Sequence, residues 1–390
     1  MKLLHTADWQ LGRPYARIED PDKRARARAA RFEALDALVA IAREEAVSLV
    51  LVAGDVFDAP TVDKATVSRA CRALGAFQVP VVLLPGNHDH AGAGSVWHQR
   101  FFEAERADLA PNVHVVLAPG VLELAGASIF ACPLQRRAES FDTTAWLRDG
   151  EALAAAPAGQ PRLVLAHGAT QLFGAGERDP EGPQASNFID LGRLPTEAYD
   201  YVALGDWHGT KQVGPKAWYA GTHEPDRFPR GEAYDAGNAL VVEVARGTPP
   251  AVQARKTARL RWHALAHAVH GDAELPALEA AVGALLGEEV DCHLLTLTLT
   301  GSLGVAGMAQ LETLITRLEA RLVRLELDQQ LTLQPSPEDL ARLCERPDDP
   351  TIAAVAQTLV AQLAQPGAEA ETARLALLEL HRLVSLAEEG

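Results

Sequence analysis

A chain of 390 residues has room for two or three domains, and a hydrophobic content of 48% is ample for cores of that size. Its four cysteines, Cys71, Cys132, Cys292 and Cys344, are scattered without a CxxC pair, which argues against a disulfide framework and against a thiolate zinc site. A net charge of −16 speaks against a protein that holds nucleic acid by bulk charge alone.

The acidity is uneven. Residues 1–265 carry 29 Lys+Arg against 32 Asp+Glu, and residues 266–390 carry 7 against 20. The near-neutral first part leaves nucleic acid open as a substrate, with help from a partner. No stretch approaches the roughly 20 apolar residues of a membrane span. No basic leader followed by a long apolar run opens the chain, so a cytoplasmic protein is expected.

In chain order, the N-terminus enters a strand directly. Lys23, Arg24, Arg26, Arg28 and Arg31, with no intervening acid, open a helix whose apolar positions Phe32, Leu35, Val39 and Ala42 repeat at helical spacing. Arg24, Arg28 and Arg31 share one face and can contact phosphates; the competing reading is a solvated helix face. Residues 49–53, 81–84, 163–166 and 201–204 are short, apolar and rich in β-branched side chains, as in strands buried on both faces. Residues 112–132 read as short strands with turns, 168–187 as a long loop, and 239–244 as a closing strand. Arg255, Lys256, Arg259 and Arg261 form a second basic cluster.

The pattern then changes. It predicts a strand over 260–265, a helix over 275–286, a strand over 292–300, a helix over 308–322 and a strand over 324–333. A linker at 334–337 follows. Ile352, Val355, Leu359 and Leu363 mark one tail helix, and Leu375, Leu378, Leu383 and Leu386 a second, separated by a break at 365–367.

The chemistry sits between the strands. Asp8, Asp55, Asn87, His88, His167 and His208 lie in loop-like segments, several directly after a predicted strand. Ligands of open α/β sheets bind outside the carboxyl ends of the strands, so such a sheet gathers donors that are far apart in sequence. The donors are hard oxygens and imidazole nitrogens without a thiolate, which suits a pair of divalent ions such as Mn2+ better than a structural zinc. Gly54, Gly86 and Gly205 let the backbone turn where a larger residue would crowd those ions.

The segments 4–12, 54–58, 86–89 and 221–228 resemble the motifs of the calcineurin-like metallophosphoesterases, with the nearest likeness to the SbcD-type nuclease subunits, over about the first 260 residues. The resemblance implies an α/β chain: a metallophosphoesterase β-sandwich flanked by helices over 1–256, a small α/β cap over 257–334, and a helical C-terminal segment over 335–390. It implies that Asp55 bridges two divalent ions, Mn2+ or else Mg2+. Asp8 and His208 hold the first, with Gln10 where the family usually has a histidine. Asn87 and His167 hold the second, with Asp206 where the family usually has another. His88 faces the phosphate and meets charge on the leaving oxygen, and Asp58 orients His88. Arg13 follows the first motif and can touch a phosphate. The implied partners are DNA, an SMC-like ATPase of SbcC type docked on the tail, and a second copy of the chain, with no membrane.

Three functions stand side by side: a metal-dependent DNA nuclease, a phosphoesterase for nucleotides or other phosphodiesters, and a non-catalytic interaction subunit in which Gln10 and Asp206 mark lost activity. The cap and helical tail favour the first; intact Asp55, Asn87, His88 and His167 disfavour the third.

Overall fold

The computed structural model describes residues 1–170, 186–229, 234–289, 291–333, 337–363 and 368–389. Most of the loop expected over 168–187, most of the linker expected at 334–337 and the break at 365–367 fall outside the described residues. The chain divides into two compact units, Met1–Arg261 and Trp262–Gly390.

The first unit contains two six-stranded sheets. One runs Thr248–Lys256, Asn238–Ala245, Lys2–Thr6, Leu49–Val52, Val81–Leu83, Val113–Val115, with its last four strands parallel. The other runs Lys211–Gly214, Ala217–Tyr219, Tyr201–Gly205, Arg162–His167, Ala127–Cys132, Gly120–Leu124, with its middle four parallel. Leu3, Leu49, Leu51 and Val82 of the first sheet meet Ile129, Leu163, Leu165 and Ala203 of the second. The alternate residues Leu4, Val50, Val52 and Val81 turn the other way, onto Leu35 and Leu38 of the helix Pro21–Glu44 and Val67 and Leu74 of the helix Lys64–Gly75. On the outer face of the second sheet, Phe130, Val164, Val202 and Leu204 pack with Leu147, Leu153 and Tyr199. Both faces of each sheet are thus covered, which is why these strands are continuously apolar instead of alternating.

The helix Pro21–Glu44 begins where Asp20 accepts hydrogen bonds from the Asp22 and Lys23 amides, with proline in its first turn. Its arginines do not form the phosphate-facing surface expected of them. Arg31 is buried, and donates to the Trp9 and Glu224 carbonyls, the Tyr15 hydroxyl and Thr222 Oγ1. Arg24 donates to the Ile18 and Glu19 carbonyls and Arg28 to that of Pro14. The cluster pins the loop before the helix and the floor beneath it, because a guanidinium with five donors satisfies several carbonyls at once. The second basic cluster is also engaged: Arg255 pairs with Glu44 and Glu45, and Lys256 with Asp235.

In the second unit the strands Arg261–His270, His293–Leu303 and Arg324–Leu333 form one sheet, covered by the helices Leu275–Leu286 and Val305–Arg321. Leu278, Leu295, Leu297, Leu311 and Leu318 fill the space between. The helices Pro350–Leu363 and Ala368–Glu389 follow, preceded by a helix Pro337–Cys344 that the leucine pattern did not announce. Their contact differs from the predicted stripe. Ala353, Ala356, Ala373 and Leu377 are buried, whereas Val355, Leu375 and Leu383 are about half exposed. Alanines let the helix axes approach closely, and the larger side chains turn outward.

A buried carboxylate, Glu224, ties down the end of the first unit by accepting the Arg259 amide at 2.6 Å and the Leu260 amide at 3.0 Å. Burial outweighs these donors and pushes it up to about 7 from an ordinary 4.5. The folded protein therefore holds a proton that the unfolded chain releases, so stability falls as pH rises from 4.5 to 7. The total is on the order of 3 kcal/mol. Glu224→Gln, with no proton to lose, is expected to flatten that slope in urea unfolding across this pH range; an unchanged slope refutes the assignment.

Candidate metal centre

The polar segments converge at the carboxyl ends of the parallel strands of both sheets. Asp8 and Gln10 follow Lys2–Thr6, Asp55 follows Leu49–Val52, and Asn87 and His88 follow Val81–Leu83. His167 ends its strand in the second sheet, and Asp206 and His208 follow Tyr201–Gly205. Main-chain bonds lock the loops together: Asp8 N to Gly54 O at 3.1 Å, Gln10 N to Asp55 O at 2.8 Å, and Gly168 N to Gly205 O at 3.1 Å.

Four of these residues have left-handed backbone: Asp8 at φ 54°, Gln10 at 41°, Asp55 at 54° and Asp206 at 104°. Such conformations cost of order 1–3 kcal/mol each outside glycine and persist where the surroundings impose them. The glycines serve close approach. A Cβ on Gly86 would strike the Asp55 carboxylate, and one on Gly54 or Gly205 the His167 ring. Only Gly54 of the three also needs a positive φ, 92°.

Asp8, Asp55 and His167 are buried and offer ligand atoms within 4.8 Å of one another. His167 Nε2 lies 3.6 Å from Asp55 Oδ1 and 3.8 Å from Asp206 Oδ1, and the Asn87 amide is 2.9 Å from the same nitrogen. Its Nδ1 donates to the Ala53 carbonyl at 2.8 Å, which turns Nε2 toward the carboxylates. His208 is oriented in the same way, its Nδ1 3.0 Å from Asp226 Oδ2. Asp206 adds its backbone amide, donated to Asp8 Oδ1 at 3.1 Å.

Gathered carboxylates out of water call for positive charge. Burial pushes Asp8 up to about 6, eased by His208 and His167. Burial also opposes charge on His167, but Asp55, Asp8 and Asp206 together outweigh it and raise the imidazole to about 9. A divalent cation answers the same demand, and the oxygen and imidazole donors fit a hard or borderline ion. Asp8, Asp55, Asn87, His167, Asp206 and His208 are the side chains placed to hold it.

A profile of the calcineurin-like phosphoesterases matches residues 1–210, more than half of the chain. The chain belongs to this family. A calcineurin-like phosphoesterase acts on phosphate esters and uses divalent metal, which agrees with the donors gathered here. Among curated proteins, the SbcD subunit of the SbcCD nuclease of Bacillus subtilis (strain 168) is 25% identical over 274 residues, which are 63% of this chain and 67% of that protein. Among solved structures, the Thermus thermophilus protein TT1561 matches with a TM-score of 0.38 and 11% identity, over 66% of this chain and 98% of that one.

Two expected roles change on inspection of the contacts. Asp58 does hold His88, but through its main-chain oxygen, 2.8 Å from His88 Nδ1, and not through its carboxylate. That carboxylate faces Arg13 at 3.6 Å. Arg13 also lies 3.3 Å from Asp226 Oδ2 and donates to Gln10 Oε1, so the guanidinium braces three loops.

Two positioning residues carried no sequence-based role. Asp226 orients His208, and also accepts from Tyr234 at 2.9 Å. Asp89 is buried and accepts the Gly86 amide at 2.8 Å and the Phe57 amide at 3.0 Å, joining the segment that bears Asn87 to the one that bears Asp55. The available signal was position alone: each is an acid within a motif whose neighbours drew the attention. Asp89→Ala leaves two buried amides without an acceptor and is expected to cost about 3 kcal/mol. Chemical denaturation checks this, and a loss under about 1 kcal/mol would show that water replaces the carboxylate.

Proposed function

We propose that this protein is a metal-dependent DNA nuclease, hydrolysing phosphodiesters as the catalytic subunit of an SbcCD-like repair complex. The observation that carries the reading is the placement of His88 beside the metal cluster. Its Nε2 lies 3.9 Å from Asp55 Oδ2, its Nδ1 is tied to the Asp58 carbonyl, and a third of its side chain is open to solvent. A histidine held this way presents one nitrogen to a bound phosphodiester without being enclosed among the ligands.

In this reading Asp55 is shared by two ions. Asp8, His208 and Gln10 belong to the first, and Asn87, His167 and Asp206 to the second. The ions, Mn2+ or Mg2+, supply Lewis acidity to the phosphate oxygens and to water when bound. His88 meets the negative charge that develops on the departing oxygen, by proton donation or by electrostatic stabilisation. Asp89 and the Asp58 carbonyl keep the His88 loop in register with Asp55. The 25% likeness to the Bacillus subtilis SbcD subunit supports the choice of DNA, an SbcC-type ATPase partner, a homodimer and a cytoplasmic setting. Residues 1–256 then form the nuclease domain, 257–334 the cap and 335–390 the docking segment, whose outward Val355, Leu375 and Leu383 are the residues available to a partner.

A second reading, a phosphoesterase for nucleotides or other small phosphodiesters, is favoured by the inward use of Arg24, Arg28, Arg31 and Arg255, which leaves less free positive charge for a long polyanion. End-labelled single- and double-stranded DNA incubated with Mn2+, EDTA or the His88→Ala protein separates the two. A nuclease gives metal-dependent products that drop by about 10²- to 10⁴-fold in the variant, the usual range for loss of an acid–base group. Intact DNA together with turnover of a small phosphodiester transfers the assignment to the second reading.

A further inference from the structure

The two proposed cation positions are built differently. At the second, His167 Nε2 and the Asn87 amide have only the carboxylate cluster for partners. Either orientation of the Asn87 amide keeps it within 3.2 Å of His167 or Asp55. Turning the amide costs no other bond, so its oxygen is available to a cation. At the first, both remaining donors are taken. Gln10 Oε1 accepts from the Arg13 guanidinium, and Gln10 Nε2 lies 3.3 Å from His208 Nε2. Because Asp226 takes the Nδ1 side of His208, Nε2 is the atom that accepts from Gln10, and its lone pair is used. Arg13 cannot swing away freely, being held at 3.6 Å by Asp58 and at 3.3 Å by Asp226. Among the described residues, the buried group whose ligand atoms converge is Asp8, Asp55 and His167; His208 is outside it.

We propose that the two cation positions are unequal and that Arg13 sets the inequality: by holding Gln10 against His208 it keeps the first position short of donors, so that the Asp55–Asn87–His167–Asp206 position fills first. The inference rests on the divalent-ion reading given above and deepens it. To enter the first position an ion has to displace a charged donor from Gln10 and free His208 from the amide, while the guanidinium stays close and repels it. A histidine at position 10 has no carbonyl oxygen for Arg13 to hold, and offers a lone pair instead. Arg13 is a positioning residue on this account, and its effect is on metal affinity, independent of substrate.

The test is Mn2+ titration of the full chain by calorimetry, with electron paramagnetic resonance counting free and bound ion, on the wild type, Gln10→His and Arg13→Ala. The wild type is expected to bind one ion tightly and a second at least tenfold more weakly, and either substitution is expected to tighten the second by about tenfold or more, the scale on which residues behind metal ligands act. Two ions of equal affinity in the wild type overturn the inference and leave the metal reading standing. Unequal sites that neither substitution alters overturn the role of Arg13. No Mn2+ binding overturns the metal reading itself. Should Arg13→Ala fail to fold, Gln10→His reads the same exchange with the Arg13 braces to Asp58 and Asp226 in place.

Discussion

Carboxylates brought together away from water repel one another, and the end of the two sheets is organised around that repulsion. Asp8 and Asp55 are buried side by side, Asp206 stands near, and His167 sits among them with one nitrogen fixed by a main-chain carbonyl. Such a cluster is unfavourable for folding by itself, since each buried charge gives up its hydration. It is tolerable where hydrogen bonds and a positive charge compensate, and its position at the strand ends is what makes it chemically useful.

The cost is carried by the frame. Parallel strands from both sheets deliver their loops to one edge, and the loops are stitched to one another by main-chain bonds such as Asp8 to Gly54 and Gln10 to Asp55. Left-handed backbone at Asp8, Gln10, Asp55 and Asp206 is held there by that stitching. Gly54, Gly86 and Gly205 admit the ring of His167 and the carboxylate of Asp55 at distances that any side chain would forbid. Behind them, Asp89 and Asp226 aim the groups that face the substrate side, and Arg31 ties Trp9, Thr222 and Glu224 into one floor.

Positive charge is used sparingly and mostly inward. The arginines of the first helix and of the strand Thr248–Lys256 satisfy carbonyls and acids of the protein itself, which explains how a chain with 36 Lys+Arg presents so little of it as an open basic face. Arg13 is the most consequential case, because its partners include Gln10, the one candidate donor whose oxygen a guanidinium holds.

Much of this was legible in the residues. The apolar runs after which Asp55, Asn87, His167 and Asp206 stand announced parallel strands buried on both faces, since period and β-branching are local properties. The donor set and its departures at Gln10 and Asp206 were legible for the same reason: side-chain chemistry does not depend on the fold. The three-strand, two-helix pattern of the second unit followed from periodicity alone. What the tertiary structure decided was who faces whom. A run of arginines looks the same whether it meets solvent or the carbonyls of residues 14–19, and only the path of that loop settles it. Asp58 serves His88 by its backbone while Asp226, far along the chain, serves His208 by its carboxylate, because hydrogen bonds depend on distances of about 3 Å that no spacing in sequence encodes. In the tail, leucine periodicity marked the helices, but the buried face was chosen by alanines, whose small size matters only once a second helix lies against them.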